Sequence, residues 1–144
     1  KAVYDGTNHD PRYKPSPIQK KMMDEGLLGR KSGKGYFDYS ESAVNPEPKK
    51  NEELGREIFN RILVMLINAA ADALNGSIAT REDIDIAMTT GVNYPKGLLK
   101  WADDIGLNIP LSQLKELHSQ YGDDRYIASP LLIKKASENS TFYS

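Results

Sequence analysis

Apolar positions crowd one stretch of this chain. From Ile62 to Ala71, inside NRILVMLINAAADAL (Asn60–Leu74), every residue but Asn68 is apolar. A surface helix normally carries a single apolar stripe. This segment is apolar nearly all round, so the pattern predicts a buried hub helix. It should start near Asn51 or Glu52 and stop at Asn75–Gly76, with Gly76 as the stop signal. It is too short for a bilayer, which needs about 20 apolar residues. Asn60 lies near its start and Asn68 at its middle. A buried amide must find hydrogen-bond partners in protein, water or ligand.

Weaker helical patterns surround the hub. Ser16–Pro17 opens a helix that runs to about Glu25, with Ile18, Met22 and Met23 inward and Gly26 as its stop. Glycines 26, 29, 33 and 35 break the next stretch, and Tyr36 to Tyr39 alternates like a short extended segment. Glu41 to Glu53, with Pro46, Pro48 and Lys49–Lys50, reads as an exposed linker. Thr80, three residues before Asp83, is close to a capping box. The helix it opens should turn Ile84, Ala87 and Met88 inward and end at Gly91. Glu82, Asp83 and Asp85 crowd its start, where the helix dipole favours negative charge. Gly91 to Gly97 is a loop. Lys100 to Ile105 forms a short helix with Trp101 and Ile105 inward, stopped by Gly106. Pro110 opens another, with Leu111, Leu114 and Leu117 on one side, and Ser129–Pro130 starts the last. The tail from Ser137 to Ser144 is polar and is expected to fray. The fold class is therefore all-α, built around a long buried hub helix.

Composition narrows the function classes. A chain of 144 residues holds one domain with a real core or two small helical ones. A net charge of -1 argues against a nucleic-acid surface. There is no cysteine, and with only His9 and His118 no metal site is expected. Nothing resembles a signal peptide or membrane anchor, so a soluble, cytoplasmic protein is the expectation. The chain opens at Lys1 without an initiator methionine, and we read it as a piece of something longer.

The chain also repeats itself. DPRYKPSPIQKKM (Asp10 to Met22) matches DDRYIASPLLIKK (Asp123 to Lys135) at a fixed offset, sharing an Asp, Arg-Tyr, Ser-Pro, an apolar position and a lysine. Residues 1–40 then read as the tail of a first helical repeat, 41–51 as a linker and 52–144 as a whole second repeat. The first repeat's own hub should lie upstream and pack against the second in a two-fold-like manner.

Several of these segments together resemble a known family. They are Asn60-Arg61 at a helix start, Asp83 to Met88 (DIDIAM), Gly91 to Gly97 (GVNYPKG) and Asp104 to Leu107 (DIGL). Leu28 to Tyr39 (LGRKSGKGYFDY) looks like the tail that closes such a domain, and DPRYKPSP before it is typical of bacterial members with two tandem copies. This pattern resembles the helical C-terminal domain of the 3-hydroxyacyl-CoA dehydrogenases, of the 3-hydroxybutyryl-CoA type. The resemblance implies an all-α domain of the 6-phosphogluconate dehydrogenase-like type. It implies an enzyme in which a Rossmann domain binds NAD and carries a catalytic His-Glu pair, while the helical domain closes over acyl-CoA and forms a homodimer. Here no G-x-G-x-x-G fingerprint is present, no strand-helix alternation precedes the helical part, and neither histidine lies in the family's catalytic context. The chain should therefore bind no cofactor itself and depend on its own N-terminal NAD-binding domain. Nucleic acid and membrane are not expected partners.

The resemblance also marks candidate residues. Asn60 matches the asparagine that contacts substrate and the catalytic histidine, where an amide can orient an imidazole or donate to a developing oxyanion. It falls in the motif's second copy, however, and a helix asparagine bonded to its neighbours is the other reading. Arg30 and Lys34, with Lys31, form a basic cluster that could meet the CoA phosphates or simply be solvated. Tyr94, with Pro95 and Trp101, could line an acyl pocket, a dimer surface or the core. At Asn68 many members carry Asn-Glu, and here Ala69 replaces the glutamate, so core packing is the expected role.

Overall fold

The computed structural model describes residues 2–143, apart from the side chain of Arg12; Lys1 and Ser144 lie outside the described residues. It divides into two compact units, Lys1–Lys50 and Asn51–Ser144. Every regular element among the described residues is helical, and the only strand-like pairing is two isolated bridges.

The first unit holds α1 (Ala2–Gly6), a 3₁₀ turn at Pro11–Tyr13, α2 (Pro17–Asp24) and a second 3₁₀ turn at Arg30–Ser32. Ser16 and Pro17 open α2 as the sequence indicates, and Gly26 takes the left-handed φ of 72° that ends it. The expected inward face is corrected: Ile18 and Met23 are exposed, and only Met22 is half-buried. The extended segment expected at 36–39 is also absent. Gly29 pairs with Lys34 and Lys34 with Asp38 in single bridges, too few to make a strand. Gly29 and Gly35 touch so closely there that a Cβ on Gly35 would stand 2.7 Å from Gly29 Cα.

The second unit is organised by α3 (Glu52–Asn75). Asn51 caps it by accepting from Leu54 N, and Glu52 and Glu53 sit at the positive end of its dipole. Around it pack α4 (Arg81–Ile86), α5 (Leu98–Ile105), α6 (Asn108–Tyr121) and α7 (Pro130–Ser137). The hub role holds, but burial on all sides does not. Leu63, Val64, Ile67, Asn68, Ala70 and Ala71 form a buried face, while Ile62 on the opposite side is half exposed. Leu99, Leu114, Leu132 and Phe142 meet that buried face in one core. Each such side chain stabilises the fold by roughly 1.5–3 kcal/mol on burial. At the end of α3 the left-handed residue is Ser77 (φ 53°), and Gly76 keeps an ordinary negative φ.

Beyond α4 the chain widens into a π turn, Ala87–Gly91, which leaves Ala87 exposed rather than inward. α5 and α6 begin two residues earlier than their sequence signals, at Leu98 and Asn108. The largest correction is the tail. Phe142 is 2 % exposed and Tyr143 packs against the core, so a segment expected to fray is docked. No helix among the described residues is long and apolar enough to cross a membrane.

Candidate functional site

Asn60 and Arg61 stand on α3 where it faces α6. With Glu57, Val64, Gln113, Glu116, Leu117, Gln120 and Tyr121 they line a groove of about 230 Å³. Asn60 is half-buried, and among the described residues its amide makes no hydrogen bond, which leaves it available to a group entering the groove. Arg61 is engaged. Its Nε donates to the Tyr126 hydroxyl at 2.9 Å, Nη2 donates to the same oxygen, and its guanidinium lies 4.3 Å from the Tyr121 ring centroid. The Tyr126 hydroxyl beside it raises the guanidinium further above its ordinary range. The two halves of the Asn-Arg pair thus differ: the arginine fastens the 3₁₀ turn Asp124–Tyr126 to the hub, and the asparagine faces the groove.

Two helical turns further along, Asn68 is fully used. Its Nδ2 donates to Ile127 O at 2.8 Å and its Oδ1 accepts from Ser129 N at 2.7 Å. It clips the start of α7 to the hub and is a packing residue, as expected.

Tyr94 follows the π turn. It is half-buried against the core, and its backbone N donates to Met88 O at 3.1 Å. It does not line the groove that holds Asn60. Beside it Lys96 and Asp104 pair at 2.6 Å, and Lys96 holds the Asp104 carboxyl below the usual carboxylate range.

Arg30 and Lys34 belong to the first unit and are exposed. Arg30 lies 5.3 Å from the Tyr39 ring centroid. Asp38 sits near Lys34, and the Ser40 backbone N–H and hydroxyl hold its carboxyl below the usual range, with a smaller contribution from the Lys34 charge. The turn thus carries three exposed basic side chains, Arg30, Lys31 and Lys34, and one acidic side chain, Asp38. Among the described residues no group of three His, Asp or Glu side chains is placed to hold a metal. With no strand and no glycine-rich strand-to-helix turn, those residues offer no cradle for a dinucleotide.

Sequence reasoning misses a second polar centre. Asp85 does not serve its own helix start. It is buried, and its carboxylate accepts from Leu99 N at 2.9 Å, Lys100 N at 3.0 Å and the Tyr143 hydroxyl at 2.9 Å. It therefore caps α5, whose preceding residue, Gly97, has no side chain to do so. A Cβ on Gly97 would lie 2.1 Å from Asp85 Cγ, so only glycine fits. Asp103 then accepts from Phe142 N at 2.8 Å and Tyr143 N at 3.1 Å, which closes the tail over the unit. The available signal is the aromatic pair at the end of an otherwise polar tail.

Comparison with known proteins gives these observations a family. Residues 58–141 match the 3-hydroxyacyl-CoA dehydrogenase, C-terminal domain. A 3-hydroxybutyryl-CoA dehydrogenase of Clostridioides difficile is 34% identical over 88% of this chain and 46% of its own length. A 3-hydroxyadipyl-CoA dehydrogenase of Escherichia coli K12 is 42% identical over 58% of this chain and 18% of its own. The crystal structure of an Escherichia coli 3-hydroxybutyryl-CoA dehydrogenase superposes with a TM-score of 0.71 at 23% identity, over 94% of this chain and 47% of that one, which supports the fold. The chain spans less than half the length of these relatives. On the family match over its second unit, this chain belongs to the C-terminal domain family of the 3-hydroxyacyl-CoA dehydrogenases.

Proposed function

We propose that this chain is the C-terminal helical part of a cytoplasmic, NAD-dependent 3-hydroxyacyl-CoA dehydrogenase acting on 3-hydroxybutyryl-CoA. The observation that carries this reading is the family match over residues 58–141, which falls within the unit built on α3. Relatives named 3-hydroxybutyryl-CoA dehydrogenase support the substrate class. NAD finds no strand-to-helix turn among the described residues. It belongs to an N-terminal NAD-binding domain that partners this chain. In this reading Asn60 offers its amide from the groove to the acyl-CoA and to the imidazole of that domain. Arg30 and Lys34 take CoA phosphates as charge-assisted donors, and Tyr94 lines the acyl pocket. The outward apolar stripe of α3 forms a homodimer.

A second reading, a non-catalytic module for dimerisation or acyl-CoA binding, has one observation behind it. Arg61, the partner of Asn60 in the motif, is bonded to the Tyr126 hydroxyl and stacked on the Tyr121 ring. One experiment separates the two. In the full-length enzyme Asn60→Ala should lower kcat on 3-hydroxybutyryl-CoA by about tenfold to a thousandfold, the range for losing one positioned donor. Its thermal midpoint should not move, because Asn60 holds no other residue. An unchanged kcat with an intact midpoint removes Asn60 from the chemistry and leaves the module reading.

A further inference from the structure

The last residues of the chain reach both helices that flank the π turn and the loop Gly91–Gly97. On α4, Arg81 Nη1 donates to Phe142 O at 2.7 Å, and Asp85 accepts from the Tyr143 hydroxyl at 2.9 Å. On α5, Asp103 accepts from Phe142 N at 2.8 Å and from Tyr143 N at 3.1 Å. The Tyr143 ring also lies near one cation of each helix, with its centroid 5.0 Å from the Arg81 guanidinium and 6.0 Å from the Lys100 ammonium. Phe142 is 2 % exposed and anchors the pair in the core. The approach from α7 is fixed as well: Lys135 Nζ donates to Thr141 O at 2.5 Å, and Ser140 N to Lys135 O at 3.0 Å.

The loop between these helices depends on its anchors. Tyr94 N donates to Met88 O at 3.1 Å. Asn93 stands at a left-handed φ of 58°, a conformation that the surrounding structure must hold. Val92, Pro95 and Lys96 are exposed. A segment with so little buried surface belongs to the low end of local stability. Its exit is Gly97, buried against the Asp85 carboxylate, where a side chain has no room. That carboxylate is itself buried and takes three donors: Leu99 N and Lys100 N from α5, and the Tyr143 hydroxyl from the tail. A buried charge is costly unless it is hydrogen-bonded. Tyr143 therefore helps to fix where Asp85 stands, and Asp85 fixes where Gly97 stands.

We propose that Phe142 and Tyr143 act as a latch on the loop Gly91–Gly97, and so as positioning residues for Tyr94. They tie α4 to α5 across the base of the loop and complete the bonding of Asp85. Releasing them frees the exit at Gly97 and loosens the segment that carries Tyr94. The latch rests on these bonds alone. Its consequence for substrate rests on the reading of Tyr94 as an acyl-pocket residue, so the two fail separately.

Backbone order parameters from ¹⁵N relaxation of the whole chain provide the test, because they report the native state and do not follow global stability. In the wild type, Asn93, Tyr94 and Lys96 should be as rigid as α3, at about 0.85. Tyr143→Phe removes the hydrogen bond to Asp85, and Asp103→Asn weakens the hold on the two backbone N–H groups of the latch. In each variant Asn93, Tyr94 and Lys96 should fall to about 0.6 or below, with Leu63 to Ala71 on α3 unchanged. Ile67→Val weakens the core from α3, away from the latch, and should leave the loop rigid. A loop that is already flexible in the wild type, one that stays rigid in either latch variant, or one that Ile67→Val loosens equally would each overturn the proposal.

Discussion

Asn68 uses both ends of its amide on backbone groups in the connection before α7, accepting from Ser129 N and donating to Ile127 O. Ser129 is only 1 % exposed, so its N–H has no water to turn to. Asn68→Ala therefore strands one buried donor, at about 1–3 kcal/mol, and takes the partner of one part-buried acceptor, at about 0.5–1.5 kcal/mol. We expect urea unfolding to report a loss of about 2–4 kcal/mol with an unchanged slope; a loss below about 0.5 kcal/mol would show that Asn68 is no clip. The sequence makes plain that this amide needs partners, because it interrupts an apolar run. It cannot name them, because they sit some sixty residues downstream. Asp85 makes the same point more sharply. Local reasoning assigns it to the start of its own helix, and the fold delivers it to the start of α5. Asn60 and Arg61 are adjacent and legible as a pair, yet only the packing of Tyr126 and Tyr121 separates their roles.

At the scale of elements, side-chain caps are the readable signals. Asn51 and Thr80 accept from the backbone at the starts of α3 and α4, and the sequence places both starts correctly. α5 and α6 begin after Gly97 and Leu107, which cap with no side chain, and sequence signals fall two residues late at both. The tail is misleading because its polar average hides Phe142 and Tyr143. Tyr143 yields a pH prediction. Burial, and then its hydrogen bond to Asp85, push its phenol from the usual 10 up to about 12. The folded state thus holds a proton that the unfolded state releases between these values. The resulting stability is fully present below about pH 10 and is lost as pH rises toward 12. Tyr143→Phe should destabilise by about 1–2 kcal/mol at neutral pH, as a hydrogen bond to a charged group is lost. Its gap from the wild type should close across the alkaline range. Urea midpoints that stay a constant distance apart from about pH 9 upward would refute this linkage.

At the scale of the whole molecule the second unit has a core, while none of the described side chains of the first is buried, and even the second unit leaves apolar surface uncovered. Leu54, Ile58, Phe59 and Ile62 are each about half exposed on α3, at 49, 50, 49 and 51 %. Residues 54, 58 and 62 recur every fourth position, so they share one face, apart from the one that carries Leu63 and Ile67. Phe59 is already steadied by Trp101, with ring centroids 5.9 Å apart, which lowers the entropy lost when a partner covers it. A contiguous stripe of this kind is what an isologous contact between two copies requires, because a two-fold axis sets the same helix against itself. Sedimentation equilibrium of the wild-type chain at tens of micromolar should then give the dimer mass. Ile58→Glu with Ile62→Glu should give the monomer, since each copy would bring two charges into an apolar contact that cannot pair them. Neither residue belongs to the core, so helical content and the thermal midpoint of the monomer should hold. A wild-type chain that sediments as a monomer would refute the homodimer, and a double variant that remains dimeric would place the contact elsewhere than on this face of α3.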